Sequence, residues 1–220
     1  MTAPRLFHAS EEAGIARFEP RPPPSADAGV VGDCVWAVDE PHLSHYLLPR
    51  HCPRICFSDN PAASAEDRRL LGGASRVVAF EAEWLERVRR CALPLYELPR
   101  ESFECVDAGA GYWISRRGVA PLSQRLETDL LGALAAQGVE VRVLADFWPL
   151  CDAVAASGLT FSVIRKRNAR PRAGSQLAKS CRMVLPIQSA PAQKATASMA
   201  TKARQARELA FLAGRRTAIP

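Results

Sequence analysis

The chain has 220 residues and a formal net charge of +6, from 29 Lys and Arg against 23 Asp and Glu. The excess is confined to one end: residues 169–220 hold ten of the basic residues and one acid, Glu208, which leaves residues 1–168 mildly acidic. Polyanion affinity is therefore argued only for the C-terminal end, and no apolar run approaches the roughly 20 residues of a membrane-spanning helix.

The first residues, Met1 to Arg5, run straight into an apolar segment, without the charged start and long apolar stretch of a secretory signal. Residues 5–9 read as a first short strand, with Leu6, His8 and Ser10 on one side and Phe7 on the other. Glu19 to Pro24 carries four prolines and reads as a stiff extended loop. Val35 to Val38 is a second strand, and Pro41 opens a helix through Leu48. Arg54 to Phe57 is a third strand, and residues 58–74 form a polar loop with a turn of helix. Val77 to Phe80 is a strand, Ala82 to Cys91 an amphipathic helix, and Leu93 to Leu98 and Tyr112 to Ser115 further strands.

Val119 to Leu122 reads as another short strand. Glu127 to Ala136 is a helix with Leu130, Leu131 and Leu134 on one face, ended by Gly138. Val139 to Leu144 is a strand, Phe147 to Ser157 a helix, and residues 159–167 a last helix or strand. The order is not a strict strand–helix alternation, so the expected class is α+β. One compact domain over residues 1–168 is expected, with a mixed or antiparallel sheet of seven to eight short strands and three to four helices. Every aromatic residue except Phe211 falls inside that span.

Residues 169–220 are rich in Ala, Ser, Lys and Arg, with too few core-forming side chains to offset chain entropy. They read as a basic, low-complexity and disordered tail. Within it, 194–216 could form a transient basic helix, and the tail is either a solvated extension or a tether for nucleic acid or another anionic surface. Seven scattered cysteines, an odd number in mostly apolar contexts, fit reduced thiols in a cytoplasm better than a disulfide framework.

No phosphate-cradling glycine loop, dinucleotide fingerprint, zinc-protease helix or serine elbow is present. His51-Cys52-Pro53-Arg54-Ile55-Cys56 has zinc-ligand residue types, but the second ligand pair is missing, and buried thiols are the better reading. Two features remain. His8 is an imidazole inside an apolar strand, serving either a ligand or a backbone carbonyl. Arg21, Arg50, His51 and Arg54 stand on proline-stiffened loops, either as forks for a phosphate or as partners of nearby carboxylates. Glu97 shares a strand face with Leu95 and is either an acid of raised pKa or an edge-strand charge in solvent.

Several stretches carry a resemblance. They are Leu6-Phe7-His8-Ala9-Ser10-Glu11-Glu12, Phe18-Glu19-Pro20-Arg21, Val35-Trp36-Ala37-Val38-Asp39-Glu40 and Pro49-Arg50-His51-Cys52-Pro53-Arg54. Gly111-Tyr112-Trp113-Ile114-Ser115, Phe147-Trp148-Pro149-Leu150 and Phe161-Ser162-Val163-Ile164-Arg165, ending in Arg167-Asn168-Ala169, continue it. Over roughly residues 5–169 these are similar to a family of uncharacterised bacterial proteins, a domain of unknown function.

More distantly, the layout resembles ADP-ribosyltransferase-type folds, including rifampicin-modifying enzymes and RNA 2′-phosphotransferases. That resemblance implies His8 and Ser10 at a ribose, Tyr46 stacking on nicotinamide, and Arg21, Arg50 and Arg54 at phosphates. NAD, ADP-ribose or a 2′-phosphorylated RNA end is then the ligand, and His8 and Glu97 are the catalytic candidates. The alternative is a non-catalytic ligand-binding or interaction domain on the same scaffold. It gains from a departure: where the transferases often place their acid, this chain has Ser115-Arg116-Arg117.

Overall fold

Leu6 is fully buried on one side of the first strand and Phe7 on the other, so this strand is sandwiched between two apolar layers. The computed structural model describes residues 4–23 and 29–172, and ten strands lie within them, in two sheets of six and four. The first sheet is built from β1 (Leu6–Ala9), β2 (Val35–Asp39), β5 (Leu93–Leu98), β6 (Glu104–Asp107), β7 (Tyr112–Ser115) and β8 (Ser123–Glu127). Its order is β6-β7-β2-β1-β5-β8, antiparallel throughout. The second contains β3 (Arg54–Ser58), β4 (Arg76–Glu81), β9 (Glu140–Leu144) and β10 (Thr160–Ile164) in the order β10-β3-β4-β9, with β4 and β9 parallel.

The α+β class is as expected, but the strands are more numerous and form two sheets. The two extra strands, β6 and β8, are edge strands whose side chains are almost all exposed, so they lack the apolar alternation that marks a strand in sequence. The strand expected at Val119 to Leu122 is displaced. Pro121 has no N–H for a ladder, Val119 makes only an isolated bridge to Phe18, and regular pairing starts at Ser123.

Four α-helices are described: α1 (Ala65–Arg69), α2 (Leu85–Arg90), α3 (Leu130–Ala136) and α4 (Phe147–Ala156). Asp129 caps α3 by accepting from Gly132 N at 2.9 Å, which sets its start three residues later than expected, because Glu127 is still paired with Leu93. Asp146 likewise caps α4 through Trp148 N at 3.0 Å. The expected helix from Pro41 to Leu48 is a 3-10 helix, Glu40–Tyr46, capped by Asp39. Residues 159–167 resolve into β10 and a 3-10 turn, Lys166–Asn168.

Three apolar layers hold this together. Phe7, Val38 and Leu95 of the first sheet share a core with Cys56, Val78 and Phe80 of the second and with Val88, Leu130 and Leu134 of α2 and α3. On its other side the first sheet buries Leu6, Ala37, Tyr96 and Trp113 beneath Phe18, Phe103 and Val119. The second sheet buries Ile55, Val77 and Ala79 beneath Phe147, Cys151 and Val154 of α4. Each large side chain so buried contributes roughly 1.5–3 kcal/mol of transfer free energy.

The packed chain runs past the boundary expected at residue 168. Ala169 packs in the α4 layer, Trp148 Nε1 donates to Arg170 O at 2.7 Å, and Arg172 forks onto Asp152 at 2.6 and 2.8 Å. The tail from residue 173 on, with the expected basic helix and nucleic-acid tether, lies outside the described residues.

Candidate functional site

The β1–β2 register ends at Phe7–Val38, and from there β1 leaves its partner. At that point the His8 ring turns toward β2, and its Nδ1 lies 2.9 Å from the backbone oxygen of Trp36. A carbonyl can only accept, so Nδ1 carries the proton and Nε2 is left with its lone pair. Phe18 packs against the imidazole with ring centroids 4.8 Å apart. Burial, followed by the charges of Arg50 and Arg21, lowers the His8 pKa, with the bond to Trp36 opposing. The imidazole is therefore neutral near neutral pH, and two of the expected arginines act on it electrostatically.

Beyond His8 the chain bends at Ser10, whose N–H donates to Pro94 O at 3.1 Å and whose hydroxyl accepts from Glu12 N at 3.0 Å. Tyr96 anchors this bend from the sheet, donating to Glu12 O at 2.9 Å and accepting from Ile15 N at 3.1 Å. Ser10, Glu11 and Glu12 thereby form one wall of a cleft of about 630 Å³, whose other walls are Arg50, His51, Arg165 and Arg167.

The cationic wall is firmly tied to its surroundings. Arg50 N donates to Glu11 Oε1 at 2.9 Å, Arg165 Nε to Arg50 O at 3.2 Å, and Asn168 Nδ2 to His51 O at 2.7 Å. Arg165 has φ of 56°, the only non-glycine positive φ among the described residues. Such a left-handed residue costs on the order of 1–2 kcal/mol. Burial and then the charges of Arg167, Arg50 and Arg54 lower the pKa of Arg165. Among the described residues, the guanidinium groups of Arg50 and Arg167 have no carboxylate partner. Three arginines are thus gathered around one open space that Glu11 and Glu12 also line.

The structure brings Ser10 and Arg50 into this cleft and leaves Arg21 nearby, exposed and bridged through its backbone to Cys34. Three other expected site residues lie elsewhere. Arg54 is 3% exposed, and its guanidinium donates to the carbonyls of His45 at 2.7 Å, Cys52 at 3.1 Å and Pro49 at 3.2 Å. It fastens the turn before β3 from inside through Nε and Nη1. Tyr46 donates to the Tyr112 hydroxyl at 2.9 Å beneath Arg54, and burial raises its pKa. It packs with the Phe7 and Val38 core, on the opposite side of the sheet from His8. That placement removes the stacking ring the transferase resemblance implied.

Glu97 pairs across the ladder with Phe7, whereas His8 pairs with Tyr96, so Glu97 and His8 project from opposite faces. Arg5 grips the Glu97 carboxylate at 2.8 and 2.7 Å and, as the leading cause, lowers its pKa. An acid of raised pKa was one sequence expectation; the ion pair produces the reverse.

Sequence reasoning missed Arg165, Arg167, Glu11 and Glu12 as lining residues. The signal for the first two was Arg165-Lys166-Arg167-Asn168, three consecutive cations ending a strand, beside the asparagine that pins the 49–53 turn. His51 lines the cleft, whereas Cys52 and Cys56 are buried thiols whose pKa values burial pushes up to about 12.

Neither the curated proteins nor the solved structures include a match to this chain. The stretch that supplies every wall of the cleft has a counterpart all the same. Residues 7–169 match the family of unknown function DUF6886, and the chain belongs to that family.

Proposed function

We propose that the domain binds a small phosphate-bearing ligand in the cleft lined by Ser10, Glu11, Glu12, Arg50, His51, Arg165 and Arg167. One observation carries this reading: three arginines line one open space, and none of them has a salt-bridge partner among the described residues. Bringing like charges together costs energy that a bound dianion offsets, and arginine forks suit phosphate oxygens. The fixed turn at 49–53 and the left-handed Arg165 hold the cations in place before the ligand arrives, which limits the ordering cost of binding.

The non-catalytic reading is favoured over transferase chemistry. Nicotinamide loss is usually assisted by a carboxylate near the developing positive charge, yet Glu97 is on the face opposite His8 and held by Arg5, and Tyr46 is half-buried against Tyr112. The six cysteines among the described residues are free thiols, which supports a reducing, cytoplasmic setting. Among those residues no helix is long and apolar enough to cross a membrane.

Calorimetry of the full chain with pyrophosphate tests the reading. Binding that is lost in the Arg165→Ala/Arg167→Ala double variant is the expected result. No heat from the parent protein, or equal affinity in the double variant, contradicts it.

A further inference from the structure

The cleft has two unlike walls, and their chemistry says more than that an anion binds. Ligand sites are ordinarily lined mostly by apolar and aromatic side chains. Every lining residue here is polar or charged, and the one ring among them is the His51 imidazole. A nucleobase would find no Phe, Tyr or Trp face to stack on, a contact usually worth about 1–3 kcal/mol. The cavity of about 630 Å³ is also much larger than one phosphate ion requires.

Beside the arginines the cleft is lined by two consecutive carboxylates and a hydroxyl, Glu11, Glu12 and Ser10. Glu11 is partly used by Arg50 N at 2.9 Å and by Arg87 at 3.4 Å. The Glu12 carboxylate makes no contact among the described residues, and the Ser10 hydroxyl, accepting from Glu12 N, keeps its own hydrogen to donate. A second phosphate on that wall would be repelled. What fits is a group rich in hydrogen-bond donors, spread over three adjacent residues.

From this juxtaposition we infer that the ligand is a phosphorylated sugar or polyol without a base. Its phosphate lies against Arg50, Arg165 and Arg167, and its hydroxyls donate to Glu11 and Glu12 and accept from Ser10. The inference rests on the anion-binding reading above and adds the second half of the ligand to it. Several hydroxyls use all three residues of the acidic wall, whereas a single ammonium group would need only one carboxylate.

The test is calorimetry of the full chain with D-ribose phosphorylated on its primary hydroxyl, inorganic phosphate, D-ribose, ADP-ribose and phosphoethanolamine. The expected order places ribose phosphate about tenfold or more tighter than inorganic phosphate, equivalent to about 1.4 kcal/mol. ADP-ribose should bind no tighter than ribose phosphate, and unphosphorylated ribose should give no measurable heat. Glu12→Gln should bring ribose phosphate down toward the phosphate value while leaving phosphate itself unchanged or tighter.

Equal affinity for phosphate and ribose phosphate overturns the inference but leaves the anion site standing. Phosphoethanolamine or ADP-ribose as the clearly tightest ligand also overturns it, in favour of an ammonium group or a base. Failure of every phosphate compound to bind sinks both readings together.

Discussion

The Nδ1 of His8 donates to the backbone oxygen of Trp36 at 2.9 Å, just where β1 stops pairing with β2. The side chain thus takes over from the main chain at the end of a ladder, and this answers why an imidazole stands in an apolar strand. Replacing it with leucine keeps the bulk against Phe18 but leaves the Trp36 carbonyl bare. The expected cost is about 1–3 kcal/mol, read as a fall in Tm, with the Ser10–Glu12 wall becoming looser. A His8→Leu variant as stable as the parent would contradict this assignment.

Arg54 and Arg167 are both cations of the motif segments, yet they should behave oppositely. Arg54→Met strips three carbonyls of their donor inside the fold and should cost about 3 kcal/mol or more. Arg167→Ala should leave the Tm within about 0.5 kcal/mol of the parent and weaken pyrophosphate binding. Denaturant titration beside calorimetry separates the two effects.

Glu97→Gln should lower stability only modestly, by about 1 kcal/mol or less, because its partner Arg5 is half exposed. Its effect on phosphate affinity should be nil, since it projects from the face opposite His8. Loss of binding in this variant would show that the acid reaches the cleft after all.

The acid response should come first from histidines. Burial, then the charges of His42, Arg54 and Arg76, lowers the pKa of His45 to about 4, from an ordinary value of 6.5, with Asp39 opposing. The unfolded chain therefore takes up a proton that the folded chain refuses. Stability is fully present above pH 6.5 and falls as the pH drops toward 4, by roughly 2–3 kcal/mol from this residue. His8, shifted in the same direction, adds to the fall. Thermal melts across this window should show the decline, and His45→Gln should flatten it. A Tm that is constant down to pH 4 in the parent protein would contradict the buried, neutral state of both rings.

Much of this architecture could be read from the residues themselves. Strands with one or both faces buried, β1 to β5 and β7, announce themselves through apolar content. Edge strands β6 and β8 do not, because Glu104–Asp107 and most of Ser123–Glu127 face water. The site was legible in part. Arg50 and Ser10 line one open space, whereas Arg54, which looked equivalent to Arg50 four residues earlier, is turned into the fold. Only the fold decides which of two turn arginines points inward. Parity along β5 put Glu97 with Leu95, but relating it to His8 needed the β1–β5 register, which depends on tertiary pairing. Arg165 was hidden for a different reason: the run Arg165-Lys166-Arg167 marks a cationic end to β10, but the left-handed backbone of Arg165 before the 3-10 turn has no cue in its side chain.

The central claim is a location, so a crystal structure of the protein grown with ribose phosphate tests it most directly. The account predicts the phosphate within hydrogen-bond distance of the Arg50, Arg165 and Arg167 guanidinium groups, with sugar hydroxyls toward Glu12. A ligand bound away from these three arginines, or a cleft left unoccupied at saturating ligand, would contradict it.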